Sequence, residues 1–197
     1  MTGSAVSCAE AKLTTLRRGI ERCRKCRLAE ERQRAVPGEG PADAQILFLG
    51  EAPGTREDTS GRPFCGRAGA FFDEMLECAG LARDAVFLTS CVKCRPPQNR
   101  RPRRDELATC RAAWLERQID VIDPALIVLL GGTAVRVVLG DARPLHALHG
   151  HPVACKGRLV YPTYHLAAGM RFPKIASKMR DDFAQLCGSG HLPLQRA

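Results

Sequence analysis

The chain has 197 residues, 45% of them apolar and 26% charged, which are the proportions of a globular protein and exclude wholesale disorder; the length suits one domain spanning 1–197. No uncharged run approaches the ~18 residues of a bilayer crossing, and the start, MTGSAVSCAEAK, lacks the basic-then-apolar order of a secretory leader, so the expected address is cytoplasmic. Thirty basic against 21 acidic residues leave a net +9 that suits a polyanion, either nucleic acid or an anionic membrane surface, while aromatics at 5% count against a single-strand binder built on stacking platforms.

In chain order, Leu13, Leu16 and Ile20 recur at helical spacing and predict a helix over 5–32. Gly38, Gly40 and Pro41 break it. The apolar run 46–49, closed by Gly50, predicts a buried strand, and 51–67, rich in Gly, Pro and charge, a long loop. Residues 68–80 read as a helix with Phe71, Phe72, Met75 and Leu76 on one side. A second strand covers 86–89 and runs into Lys93-Cys94-Arg95-Pro96-Pro97, where two prolines forbid regular structure. A helix over 105–122 buries Leu107, Trp114, Leu115, Ile119 and Ile122. A strand at 126–130 leads through Gly131-Gly132 into a short helix from Thr133. The last strand is 158–163 and the closing helix 172–186, with a loose tail from Gly188. Strands alternating with helices predict an α/β fold with helices on both faces of a parallel sheet, and such sheets bind ligands beyond the carboxyl ends of their strands.

Four constellations carry chemistry. Cys23-x-x-Cys26, with Cys94 and Cys110 downstream, has the makings of a four-thiolate shell; spacing alone leaves zinc and an iron–sulfur cluster both open. The other six of the ten cysteines lack partners at ligand spacing and read as small apolar fillers. Gly50-Glu51-Ala52-Pro53-Gly54 puts a carboxylate over the ligand crevice. His165, after Tyr161-Pro162-Thr163-Tyr164, is the one histidine of five at a strand's carboxyl end; His146, His149, His151 and His191 read as surface or structural residues. Residues 95–104, with five arginines, three prolines and Asn99, suit phosphate contact or a solvated loop equally.

Taken together, GEAPGTREDTSGRPFCGRAGAFFDEML (50–76), VKCRPPQNRRPRRDELATC (92–110) and PTYHLAAGMR (162–171) resemble the uracil-DNA glycosylase superfamily, specifically its iron–sulfur family 4 type, over roughly residues 20–187. The resemblance implies a three-layer α/β/α sandwich around a four-stranded parallel sheet. It implies a structural [4Fe-4S] cluster on Cys23, Cys26, Cys94 and Cys110, DNA carrying a deaminated base as partner, no membrane, and a monomer. By it, Glu51, Ala52 and Pro53 shape the pocket and Glu51 places the attacking water. Phe64 stacks on the flipped base, Asn99 supports activity, and His165 hydrogen-bonds the base's O2. Beyond what the resemblance carries over, the basic loop, including Arg100, and Arg171 are expected to hold phosphates, and Met170 or Leu166 to wedge into the gap left by the flipped base. Two positions depart from the family pattern. Ser90 stands where the family usually has the Asn that reads the uracil edge, and Leu166 where it usually has Pro. Ser90 raises one alternative, a glycosylase that admits hypoxanthine, xanthine or another deaminated base; Ser90 and Leu166 together raise a second, a catalytically inactive iron–sulfur DNA-binding protein. The loop PPQNRRPRR holds no His, so no covalent adduct with DNA of the kind a related branch forms is expected.

Overall fold

The computed structural model describes residues 2–140 and 143–188. The side chain of Cys187, His191 and the tail beyond Gly188 lie outside the described residues. Five strands form one sheet in the order β2-β1-β3-β5-β4: β1 (Ile46–Gly50), β2 (Phe87–Ser90), β3 (Leu126–Leu130), β4 (Val153–Cys155) and β5 (Arg158–Thr163). The four strands named by the sequence are parallel, in the register Gly50↔Ser90 and Leu130↔Thr163. The fifth, β4, is an antiparallel edge strand that the sequence reading missed, because three residues are too short a run to show a period. Its turn is Lys156-Gly157, both at positive φ (49° and 79°), the two-residue geometry whose twist matches a hairpin's strands.

Side chains alternate across the sheet. Phe48, Leu88, Val128 and Tyr161 face one side, where α4 (Arg67–Cys78) and α9 (Pro173–Gly188) pack with Phe72, Met75, Met179 and Phe183. Leu47, Leu49, Ile127 and Val160 face the other, against Leu115 and Ile122 of the helical stretch 104–122 and Val135 and Val137 of α7 (Gly132–Leu139). Burying each such side chain is worth ~1.5–3 kcal/mol. A third cluster, Leu16, Ile20, Val92 and Trp114 with Cys94 and Cys110, ties α1 (Thr2–Glu21) to the loop after β2.

The helix expected over 5–32 stops at Glu21. The Cys23–Cys26 segment is an irregular bend, and helix resumes only as α2 (Leu28–Glu31). The long loop after β1 contains α3 (Thr55–Ser60), whose all-polar sequence hides it from a periodicity reading. The helix expected over 105–122 is three continuous pieces: α5 (Arg104–Cys110), a π-type turn over Arg111–Leu115 and α6 (Glu116–Ile122). A short helix, α8 (Leu166–Arg171), precedes α9. Cys91 is buried as expected of a filler, but Cys8, Cys65 and Cys78 are exposed. No helix among the described residues is long and apolar enough to cross a membrane.

Candidate functional site

β1 pairs with β2 on one side and β3 on the other, so the chain reverses its winding there, and a crevice opens at the carboxyl ends. The crevice holds a cavity of about 280 Å³. Gly50, Glu51, Ala52, Pro53 and Gly54 line it from β1, Ser90 from β2, Leu130 from β3 and His165 from β5; Phe64, Asn99 and Arg100 close the rim. Residues read from three distant stretches of sequence thus share one space.

His165 is the N-cap of α8. Its Nδ1 accepts the backbone N–H of Ala167 at 3.1 Å. A nitrogen that accepts cannot carry a proton, so the imidazole proton sits on Nε2 and the ring is a neutral donor. Burial pushes the ring's pKa below the ordinary histidine value, with Glu51 pulling it up and Arg101 down. Gly131, at φ 97°, is required by close approach: a Cβ there would lie 2.9 Å from that of His165.

Glu51 follows β1. Its Oε2 accepts the Thr133 hydroxyl, and Thr133 Oγ1 in turn accepts from Arg136 Nη2 at 3.2 Å. The first turn of α7 therefore fixes one carboxylate oxygen and leaves the other for a ligand or water. Thr133 was not singled out by the sequence; its only signal is its place just after the Gly131-Gly132 turn that ends β3.

Phe64 sits at φ 49°, a left-handed conformation that costs a non-glycine residue ~1–2 kcal/mol. Glu57, buried in α3, compensates. Its Oε1 accepts the N–H of Cys65 and of Gly66, each at 3.0 Å, and its Oε2 accepts Gly54 N–H at 3.1 Å. Arg83 Nη2 holds the Pro63 and Phe64 carbonyls, both at 2.9 Å. The Phe64 ring stacks on Phe72 with centroids 5.2 Å apart and lies over Gly50, where a Cβ would come within 2.9 Å of it. Glu57 is a second residue the sequence reading missed, since it reads as one more charge in a polar loop.

Two expected contacts are corrected. Leu166 is 2% exposed and packs in the core beneath α8 and α9, so it cannot wedge into DNA; Met170 and Phe172 are 40% and 50% exposed. Arg100 commits its guanidinium to the fully buried Glu106, at 2.8 and 2.7 Å, and so closes the Arg-rich loop instead of presenting itself to a phosphate. Asn99 Oδ1 accepts from Arg95 at 2.7 Å, which leaves its amide N–H₂ to donate at the rim. Arg171 lies over the Phe172 ring, outside the cavity.

Behind the pocket, Cys23, Cys26, Cys94 and Cys110 line one small cavity together with Arg32, Lys93 and Trp114. Arg32 Nη1 donates to Cys94 Sγ at 2.8 Å and Trp114 Nε1 to Cys23 Sγ at 3.2 Å. A neutral thiol is a weak acceptor, so this donor set suits thiolates. Burial pushes the Cys94 and Cys110 thiols up, Cys110 to about 11, and Arg32 and Lys93 respectively oppose it. Burial likewise pushes the Lys93 ammonium down to about 8, with the three neighbouring cysteines Cys110, Cys91 and Cys94 pulling it back up. Among the described residues no three His, Cys, Asp or Glu side chains converge on a point as a single metal ion requires.

A family profile described as the uracil DNA glycosylase superfamily matches residues 37–186. A type-4 uracil-DNA glycosylase of Sulfurisphaera tokodaii is 40% identical over 183 residues, covering 88% of this chain and 83% of the relative. Its counterpart from Thermotoga maritima is 41% identical over 148 residues (74% and 77%), and a type-5 uracil-DNA glycosylase of Thermus thermophilus is 35% identical over 154 residues (68% and 69%).

Proposed function

The chain belongs to the uracil DNA glycosylase superfamily, and from that premise we propose that it hydrolyses the N-glycosidic bond of uracil in DNA and leaves an abasic site. The observation that carries the mechanism is the tautomer of His165. A base inside a duplex is out of reach, so the nucleotide must rotate out of the stack into the cavity. As the bond from C1′ to N1 breaks, the electron pair leaves with the base, and negative charge gathers on N1 and O2. Nε2–H of His165 donates to O2, and a preorganised donor of this kind is worth ~3–4 kcal/mol, about 10²–10³ in rate. A neutral donor serves better than a cation here, because Nδ1, held by Ala167, cannot take up a second proton without losing that bond.

Positive charge develops on the sugar as the base departs. Glu51, fixed by Thr133, lies on the same cavity, where it stabilises that charge and orients the water that adds to C1′. The water's proton passes to solvent or to the carboxylate, and the base leaves as its anion. Phe64 offers a stacking face and excludes water, and the backbone strain it carries is consistent with a fixed platform. Ser90 offers one hydroxyl to the base's edge. Met170 and Phe172 are the exposed apolar side chains near the exit of β5 that suit insertion into the gap left by the base.

We assign Cys23, Cys26, Cys94 and Cys110 to a [4Fe-4S] cluster. The four sulfurs line one small cavity, and Arg32 and Trp114 donate to two of them, a setting that suits thiolate ligands of such a cluster. When bound, the cluster supplies iron–thiolate cross-links that tie the turn after α1 to the Arg-rich loop; no step of the hydrolysis runs through it.

The test is incubation with duplex oligonucleotides carrying uracil, hypoxanthine or xanthine, followed by alkaline cleavage. Efficient cleavage at uracil supports the proposal. Cleavage at the purines alone, or at none, overturns it.

A further inference from the structure

Lys93 is the one fully buried lysine among the described residues, 1% exposed, and it forms no ion pair with a carboxylate there. Burying an ammonium is expensive without an anionic neighbour. Sulfurs surround it instead, and Cys110, Cys91 and Cys94 favour its charged form. Lys93 lines the small cavity shared by Cys23, Cys26, Cys94 and Cys110, is the chain neighbour of Cys94, and its carbonyl accepts Val36 N–H at 2.7 Å. At the far end of the side chain, Nζ donates to Thr89 Oγ1 at 2.6 Å and to the carbonyl oxygen of Ser90 at 2.8 Å. Val36 and Ser90 both line the base cavity, whereas Lys93 does not. Its amine therefore cannot reach the sugar as a nucleophile.

We propose, resting on the glycosylase reading, that Lys93 is the positioning residue that joins the four-cysteine site to the base pocket. Its main chain runs through the wall of the cysteine cavity next to Cys94, and its ammonium fixes the end of β2 and with it Ser90, the residue at the base's edge. The cluster thereby sets the width of the pocket as well as holding the loop. The buried charge also makes Lys93 a neighbour that the cluster's electrons sense.

Lys93→Met keeps the length of the side chain and removes the ammonium. On the iron-loaded protein, four quantities decide: iron per chain, duplex affinity, single-turnover excision of uracil, and the cluster's reduction potential by voltammetry. Expected are a full iron complement, affinity for uracil-containing duplex within about threefold, excision slower by roughly tenfold, as losses of supporting contacts behind a site typically are, and a potential shifted to more negative values. A merely packing lysine would leave the potential unmoved. Excision at the wild-type rate with iron intact, or an unshifted potential, overturns the proposal. Should Lys93→Met not fold, Thr89→Val removes only one acceptor of Nζ; excision slowed severalfold with iron retained supports the proposal, and an unchanged rate overturns it. Failure of the wild-type protein to excise uracil would instead refute the glycosylase reading.

Discussion

Glu57→Gln tests how the pocket is built. The carboxylate accepts three backbone N–H groups, of Gly54, Cys65 and Gly66, through both of its oxygens. A carboxamide has one oxygen and one N–H₂, so whichever way it turns, one arm sets donor against donor. Hydrogen bonds to a charged group are worth ~1.5–3 kcal/mol each, and water can replace only part of that at a side chain this buried. Losing one arm and weakening the other costs about 3 kcal/mol, which for a chain of this length is a drop in Tm of roughly 6–12 °C. Phe64 then loses the contacts that hold its left-handed backbone, and its ring should leave the pocket. Thermal unfolding by circular dichroism measures the first effect. Single-turnover excision at saturating and subsaturating enzyme measures the second, and the loss should appear in both affinity for the extrahelical base and rate. A Glu57→Gln protein as stable as wild type, or one that is less stable but excises normally, would refute the claim that this carboxylate positions Phe64.

Other outcomes follow from the same geometry. Excision should remain full below pH 6.5 and fall only as the medium reaches the depressed pKa of His165. The same shift costs stability: the unfolded chain takes up a proton as pH falls through 6.5 while the folded chain does not, so stability declines from about 6.5 down to the folded pKa. Denaturant melts across pH 4–8 with and without His165→Gln would expose this, and an unchanged pH profile in the variant contradicts it. Leu166→Ala should cost ~2–4 kcal/mol of stability as a cavity in the core, while Met170→Ala should leave stability within ~0.5 kcal/mol and weaken binding to uracil-containing duplex; the reverse pattern would restore Leu166 as the wedge. Thr133→Val frees Glu51 and should lower the rate of excision about tenfold with DNA affinity unchanged, which a kcat against KM comparison reads directly.

Much of the site was legible because its residues sit in stretches where glycine, proline and charge interrupt apolar runs. Glu51, Ser90 and His165 each stand just past or at the end of an apolar strand, and a parallel sheet brings such ends together. The four parallel strands were legible for the same reason. What was hidden depends on contacts distant in sequence or on local geometry without periodicity. Glu57 and Thr133 act through backbone N–H groups and a carboxylate that only the folded chain brings near. Strand β4 is three residues long and owes its existence to its turn. Arg100 and Leu166 look available in sequence, but buried Glu106 claims one and the core claims the other. Lys93 reads as one more basic residue in a basic run until its burial is seen.

The most direct measurement of the account's core is the dependence of His165 on the leaving group. Single-turnover excision of uracil and of 5-fluorouracil, whose anion is intrinsically more stable, should be compared in the wild-type and His165→Ala proteins. If Nε2–H meets charge on the departing base, the variant loses ~100-fold or more on uracil and distinctly less on 5-fluorouracil. Equal losses on the two bases would contradict it, and would place the imidazole in binding alone.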